Sequence, residues 1–159
     1  MPMTMRVEGM EELSRKLSAL EEKAGDVAAR ALYAGAGVMA DAYAQAVNSI
    51  KTDKFRYAFN GQKRSVSPEE KAALQGKIGI AKFDRDGSEV STAVGIFGAG
   101  YVEIGGKRKA VRMLANVINS GTSFMIKQSV FRRAQRKAKK AASEAIAQRA
   151  DQLIEKITK

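Results

Sequence analysis

Seven cationic side chains fall between residues 127 and 140 with no acid among them: Lys127, Arg132, Arg133, Arg136, Lys137, Lys139 and Lys140. Ammonium and guanidinium groups at this density neutralise phosphate or carboxylate oxygens. At about 100° per helical residue, Arg132, Arg136 and Lys139 or Lys140 share one stripe, with Arg133 and Lys137 flanking it. The balancing acid must come from another chain, from DNA or from solvent, and the plain alternative is an exposed, solvated face. A second basic stretch interleaves Lys51, Lys54, Arg56, Lys63 and Arg64 with Phe55, Tyr57 and Phe59. Such a mixture can stack on single strands, although no known nucleic-acid motif surrounds it.

Other chemistry is sparse. The chain has no Cys and no His, which removes disulfides, thiolate and imidazole metal ligands, and the usual base near neutral pH. The clusters Gly98-Ala99-Gly100 and Gly105-Gly106 lack a following Gly-Lys-Ser/Thr and a third glycine at dinucleotide-fold spacing, so they read as flexible turns. The acid pairs Glu11/Glu12, Glu21/Glu22 and Glu69/Glu70 sit on expected helices, where neighbours point about 100° apart, and read as solvated faces rather than dyads. Ser120 and Ser123 flank Gly121 without a nucleophile elbow, so turn and cap roles dominate. No cofactor is expected.

These residues need elements to hold them. Thr4 to Gly9 reads as a short strand. Met10 to Ala24 reads as a helix with Leu13, Leu17 and Leu20 on one face, stopped by Gly25. Asp26 then caps a second helix to about Asn48, striped by Val27, Ala31, Leu32, Val38, Met39, Ala42 and Ala46. Gly35 and Gly37 lie inside it, each costing about 1 kcal/mol against Ala, which suggests close approach by another element. Ser67-Pro68-Glu69-Glu70 is a helix start, with Ser at the cap and Pro in the first position. Lys77 to Phe97 reads as a hairpin, Ile78 and Ile80 facing Val90, Thr92, Val94 and Ile96, with Asp84-Arg85-Asp86-Gly87 as its turn. Gly98 to Lys109 reads as irregular. Ala110 to Asn119 reads as a helix with Val111, Leu114, Ala115 and Ile118 on one face. After the Ser120-Gly121-Thr122-Ser123 turn, Ser129 is placed to cap the longest helix, which runs to about Lys156. Its inner stripe is expected at Phe131, Ala134, Ala138, Ala141, Ala145, Ile146, Leu153, Ile154 and Ile157.

This order gives an α+β fold: a small antiparallel β-sheet packed against N-terminal helices and a long C-terminal helix. At 159 residues the expectation is one domain over 1–159, with flexible loops at about 48–66 and 98–109. Much of the apolar content is Ala, with no Trp, which favours close helix packing over a bulky interior. The net charge of +11 points to polyanions or acidic partners. No signal peptide and no membrane span is visible, so the expectation is a soluble protein made in a cytoplasm.

Three blocks carry a resemblance. The first is Val7-Glu8-Gly9-Met10-Glu11-Glu12-Leu13. The second is Ser67-Pro68-Glu69-Glu70-Lys71, followed by Lys77-Ile78-Gly79-Ile80-Ala81-Lys82-Phe83 and Val94-Gly95-Ile96. The third is Ser120-Gly121-Thr122-Ser123 with Lys127-Gln128-Ser129-Val130-Phe131-Arg132-Arg133-Ala134. Together they resemble the tail-completion (neck, or head–tail joining) family of long-tailed bacteriophages. Where that family usually has Pro-Phe at the helix start, this chain has Ser129-Val130 before Phe131. The resemblance implies a non-catalytic structural protein of the virion tail or neck, made in the host cytoplasm. Its implied partners are other phage neck and tail proteins and further copies of itself in a ring, with contact to DNA in the channel and no membrane. The interface or structural motif it implies is Ser120, Gly121, Thr122, Ser123 and Phe131.

Overall fold

A computed structural model describes residues 10–53, 63–86, 89–97 and 100–159. Helix α1 spans Met10–Asn48, α2 Pro68–Leu74, α3 Val111–Ser120 and α4 Val130–Thr158. Between α2 and α3 lie β1 Ile78–Ile80, β2 Asp84–Asp86, β3 Glu89–Ser91, β4 Val94–Ile96, β5 Tyr101–Ile104 and β6 Lys107–Ala110. All three ladders, β1–β4, β2–β3 and β5–β6, are antiparallel and two-stranded. The fold is α+β. The strand expected at Thr4 to Gly9 lies outside the described residues.

One long helix replaces the two expected before Asn48. Gly25 does not stop it: Ala24, Ala28, Ala29 and Arg30 around it are strong helix formers and offset a penalty of about 1 kcal/mol. The helix also has a continuous partner. Ala42 and Ala46 line a groove with Val130, Ala134 and Ala138, Gly35 lies against Ala142 and Ile146, and Asp26 and Arg30 lie by Arg149. These pairings run in opposite directions, so α1 and α4 are antiparallel. A Cβ on Gly35 would overlap the Ile146 side chain and come within 3.0 Å of the Ala142 carbonyl oxygen, which is the close approach expected of an interior glycine. Gly37 has nothing within 4 Å of its Cβ position; the approach is confined to Gly35.

The inner stripe of α4 differs from expectation by one residue at its centre. Ala142 is buried and Ala141 is exposed, because Val130, Ala134, Ala138 and Ala142 follow one ridge at spacings of four. Ile154 is exposed. The same pairing places Thr158 level with about Glu22. The first turns of α1 therefore project past α4, and Leu13 and Leu17 are 54% and 57% exposed.

The core gathers where the C-terminal end of α1 meets α2, α3 and the start of α4. Leu74, Ile118, Val66, Val47, Val111 and Met125 are its most enclosed apolar residues. Of the stripe expected on α3, all four residues (Val111, Leu114, Ala115 and Ile118) are buried.

The hairpin over 78–96 forms with a bulge. Ile80 pairs with Val94 and Asp84 with Ser91, so residues 81–83 oppose only 92–93. The extra residue is accommodated as Ala81 N–H donates to the Ala93 carbonyl at 2.8 Å and Thr92 Oγ1–H donates to the Ala81 carbonyl at 2.8 Å. A bulge bends a ribbon, and the ribbon follows α1: the Phe83 and Tyr33 rings are 6.2 Å apart, and Arg85 reaches within 3.6 Å of the Gly25 Cβ position. Asp84-Arg85-Asp86 is strand rather than turn, and Gly87 lies outside the described residues.

The stretch expected to be irregular between Gly98 and Lys109 contains a second hairpin. Gly105 and Gly106 both have positive φ, 61° and 72°, as a two-residue hairpin turn requires. Val102 and Ile104 face inward, and the Arg108 guanidinium stacks 4.3 Å over the outward Tyr101 ring.

Candidate assembly interface

The junction from α3 to α4 is built from hydrogen bonds to groups that a helix end leaves open. Gly121 N–H donates to the Val117 carbonyl at 2.7 Å, Gln128 N–H to Ile118 at 3.1 Å and Ser129 N–H to Asn119 at 3.1 Å. The carbonyls ending α3 are thus satisfied by the chain that leads into α4. Gly121 has φ 74° and ψ 173°, a region that side chains avoid. A Cβ there would sit 2.8 Å from Lys127 Cβ and 3.0 Å from Lys127 Cα and N. The glycine expected to break the helix does so, and the returning chain also fills the space a side chain would need.

Thr122 closes the turn. Its Oγ1 accepts from Phe124 N–H at 3.3 Å and Met125 N–H at 3.0 Å, while its own N–H donates to the Met125 carbonyl at 3.1 Å. Ser120 and Ser123 are exposed. Ser129 stands at the N-cap of α4 but does not cap it with its side chain; its φ is 52°. Its Oγ–H instead lies 3.5 Å from the Asn119 carbonyl, and the Asn119 Oδ1 accepts from Arg132 N–H at 3.4 Å. Asn119 thus supplies from α3 the acceptor that a cap residue normally provides.

The corner is also tied to the stretch expected as a loop at 48–66. The Gln128 amide clamps the Lys51 backbone in both directions, at 2.9 Å and 2.8 Å. Arg64 bridges Met125 in parallel, through Arg64 N–H to the Phe124 carbonyl at 2.8 Å and Ile126 N–H to the Arg64 carbonyl at 2.9 Å. Residues 51–53 and 63–66 are thus ordered parts of the core's edge. Phe55, Tyr57 and Phe59 lie outside the described residues.

Phe131, in the first turn of α4, is half-buried. Its ring meets Tyr43 edge-on, 5.8 Å between centroids at 87°. Removing a half-buried ring costs less than the full core value, so Phe131→Ala should lower stability by about 2 kcal/mol in a denaturant titration. A change under about 0.5 kcal/mol would show that the ring does not anchor the helix.

Glu70 corrects the sequence reading most strongly. Expected on a solvated face, it is 1% exposed. Arg64 grips it with both arms, Nη1 to Oε2 and Nη2 to Oε1, each at 2.9 Å. Lys109 Nζ adds a bond to Oε1 at 2.9 Å, and Ser67 N–H donates to Oε2 at 3.1 Å. With Ser67 Oγ accepting from Glu70 N–H at 3.2 Å, this is a complete capping box. Burial alone would raise the carboxyl's pKa. The bonds from Arg64, Lys109 and Ser67, with the guanidinium charge, overcome that and bring it to about 2. One carboxylate thereby joins the stretch after α1, helix α2 and strand β6.

The seven cations at 127–140 are all exposed. Arg133 Nη2 donates to the Gln128 carbonyl at 2.9 Å, and Lys140 stands 3.9 Å from Glu144 one turn on. Arg133 and Lys137 line one wall of the α1–α4 groove, over Ala42, Ala46, Ala134 and Ala138, with Gln45 and Ser49 along the other. Charge is polarised along the molecule. Residues 100–140 hold eleven Lys and Arg against one acid, Glu103. At the opposite end, residues 10–33 and the β2–β3 ribbon together hold more acid than base.

No family model, curated protein or solved structure matches this chain. Among the described residues, no helix is long and apolar enough to cross a membrane.

Proposed function

We propose that the chain is a non-catalytic structural protein of a tailed-phage virion, which completes the tail or the head–tail junction by assembling as a ring with neck and tail neighbours. The observation that carries this reading is the Gly121 corner. The block with the most specific resemblance to tail-completion proteins, residues 120–134, coincides with a joint where the end of α3, the start of α4 and the stretch after α1 are bonded together. Four separate stretches of chain meet there through hydrogen bonds, three by backbone groups and the Lys51 stretch through the Gln128 side chain, and such a fixed joint suits a part that must hold its shape in an assembly. Purified particles of a phage or prophage carrying this gene should contain the protein at a fixed copy number by quantitative mass spectrometry. Its absence from washed virions would defeat the proposal.

A second reading, nucleic-acid binding by Lys127, Arg132, Arg133, Arg136, Lys137, Lys139 and Lys140, is favoured by their common exposure. It predicts a salt-dependent DNA mobility shift, abolished by joint Arg132, Arg133 and Arg136→Glu substitution. Both readings hold together if the cationic face lines a DNA channel.

A further inference from the structure

The two ends of the α1–α4 pair are complementary in shape and in charge. One end projects: α1 outruns α4, and Leu13 and Leu17 are more than half exposed, one helical turn apart. The other end is recessed: the α1–α4 groove has a floor of alanines at the same four-residue spacing, Ala42 and Ala46 from one helix, Ala134 and Ala138 from the other. Large side chains on one helix seat between small ones spaced by a turn on its neighbours. On the projecting helix, Glu21 flanks the leucines at about +80° from Leu13, while on the other side Glu12, at about −100°, is paired with Lys16 Nζ at 3.1 Å. The Glu21 side of the docked helix is therefore the one that meets the groove wall of Arg133 and Lys137, and this fixes which way the helix points.

We propose that copies of this chain associate head to tail, the projecting turns of α1 in one copy laying Leu13 and Leu17 into the α1–α4 groove of the next. This rests on the reading of the chain as an assembling virion component, and it supplies the contact by which assembly proceeds. Charge selects the direction. Two ends built from residues 100–140 repel each other, whereas that end and the acid-rich projecting end attract. A contact between two different patches leaves one of each free after every addition, so it continues past a dimer. It closes as a ring where the rotation per subunit allows.

The test uses the full chain in analytical ultracentrifugation, at low salt and at concentrations up to about 0.2 mM, the range of weak protein contacts. The wild type should assemble beyond dimers. Leu13→Asp with Leu17→Asp should be monomeric, as should Arg133→Glu with Lys137→Glu. Both pairs replace exposed side chains, and unchanged circular dichroism and melting will show that the fold persists. An equimolar mixture of the two variants should form a 1:1 heterodimer and stop, because each keeps one intact half of the contact. A groove variant that associates like the wild type would overturn the proposal, since the tips would then pair with each other. So would a monomeric wild type throughout this range, or a mixture that stays monomeric. None of these results bears on whether the protein is found in virions, which purified particles decide.

Discussion

Glu70→Ala is expected to destabilise the protein by about 3–4 kcal/mol. The substitution leaves Arg64, whose side chain is 12% exposed, and Lys109 at 32% without their shared acceptor, and it opens the capping box on α2. Breaking a buried ion pair from one side costs about 3–5 kcal/mol, and partial rehydration of Lys109 reduces that figure. Glu70→Gln keeps the capping geometry but not the charge and should cost roughly half as much. The same group sets an acid limb. Its pKa lies near 2 in the folded chain against an ordinary 4.5. A depressed carboxyl pKa contributes stability that is full above the unfolded value and is lost as pH falls toward the folded one. Unfolding free energy should thus fall by about 3 kcal/mol between pH 5 and pH 2, and that decline should flatten in Glu70→Gln. Parallel acid profiles for the two proteins would show that the carboxylate is not the group responsible.

Gly121→Ala is the second large expectation, at about 3–4 kcal/mol. Two causes add. The φ of 74° with ψ of 173° is a conformation essentially reserved for glycine and strains any side chain by about 1–3 kcal/mol. The new methyl would also press on Lys127 N, Cα and Cβ at 2.8–3.0 Å. All three are backbone or bonded directly to it and cannot swing aside, so relief requires moving the corner. The loss should appear as a lower denaturant midpoint with faster hydrogen exchange at Gln128 and Ser129, whose N–H groups bond the end of α3. An Ala variant as stable as the wild type would show that the corner is not a fixed joint.

Local signals in the sequence located much of this fold. The Ser67-Pro68-Glu69-Glu70 start, the four-residue stripe on α3 and the 78–96 ribbon were all legible because each depends on residues a few positions apart. The errors share a cause: the deciding partner is distant in the chain. Gly25 looked like a stop because its propensity is weak, yet a long antiparallel partner more than 100 residues away runs beside that helix. Glu70 looked solvated because a helix surface was the only visible context, while its partners Arg64 and Lys109 approach from both sides in sequence. In the β5–β6 hairpin, Lys107, Arg108 and Lys109 hide the alternation, and Gly105-Gly106 is the one local turn signal. Ser129 has the residue type and position of a cap, but Asn119 provides the acceptor from another helix.

At the candidate site, the basic residues were legible as a stripe, and the structure places all seven on the surface. The groove behind Arg133 and Lys137 was not legible, since it exists only once α1 lies beside α4. The corner was recognised for its glycine. Its stitching to Lys51 and Arg64 was invisible without the long-range pairing.

Deleting the gene from a phage or inducible prophage and imaging the lysate by electron microscopy decides whether this chain works as a fixed part of a virion. DNA-filled heads with separate or defective tails are expected, restored to infectious particles by the wild-type gene supplied in trans. Normal infectious particles from the deletion would contradict that role.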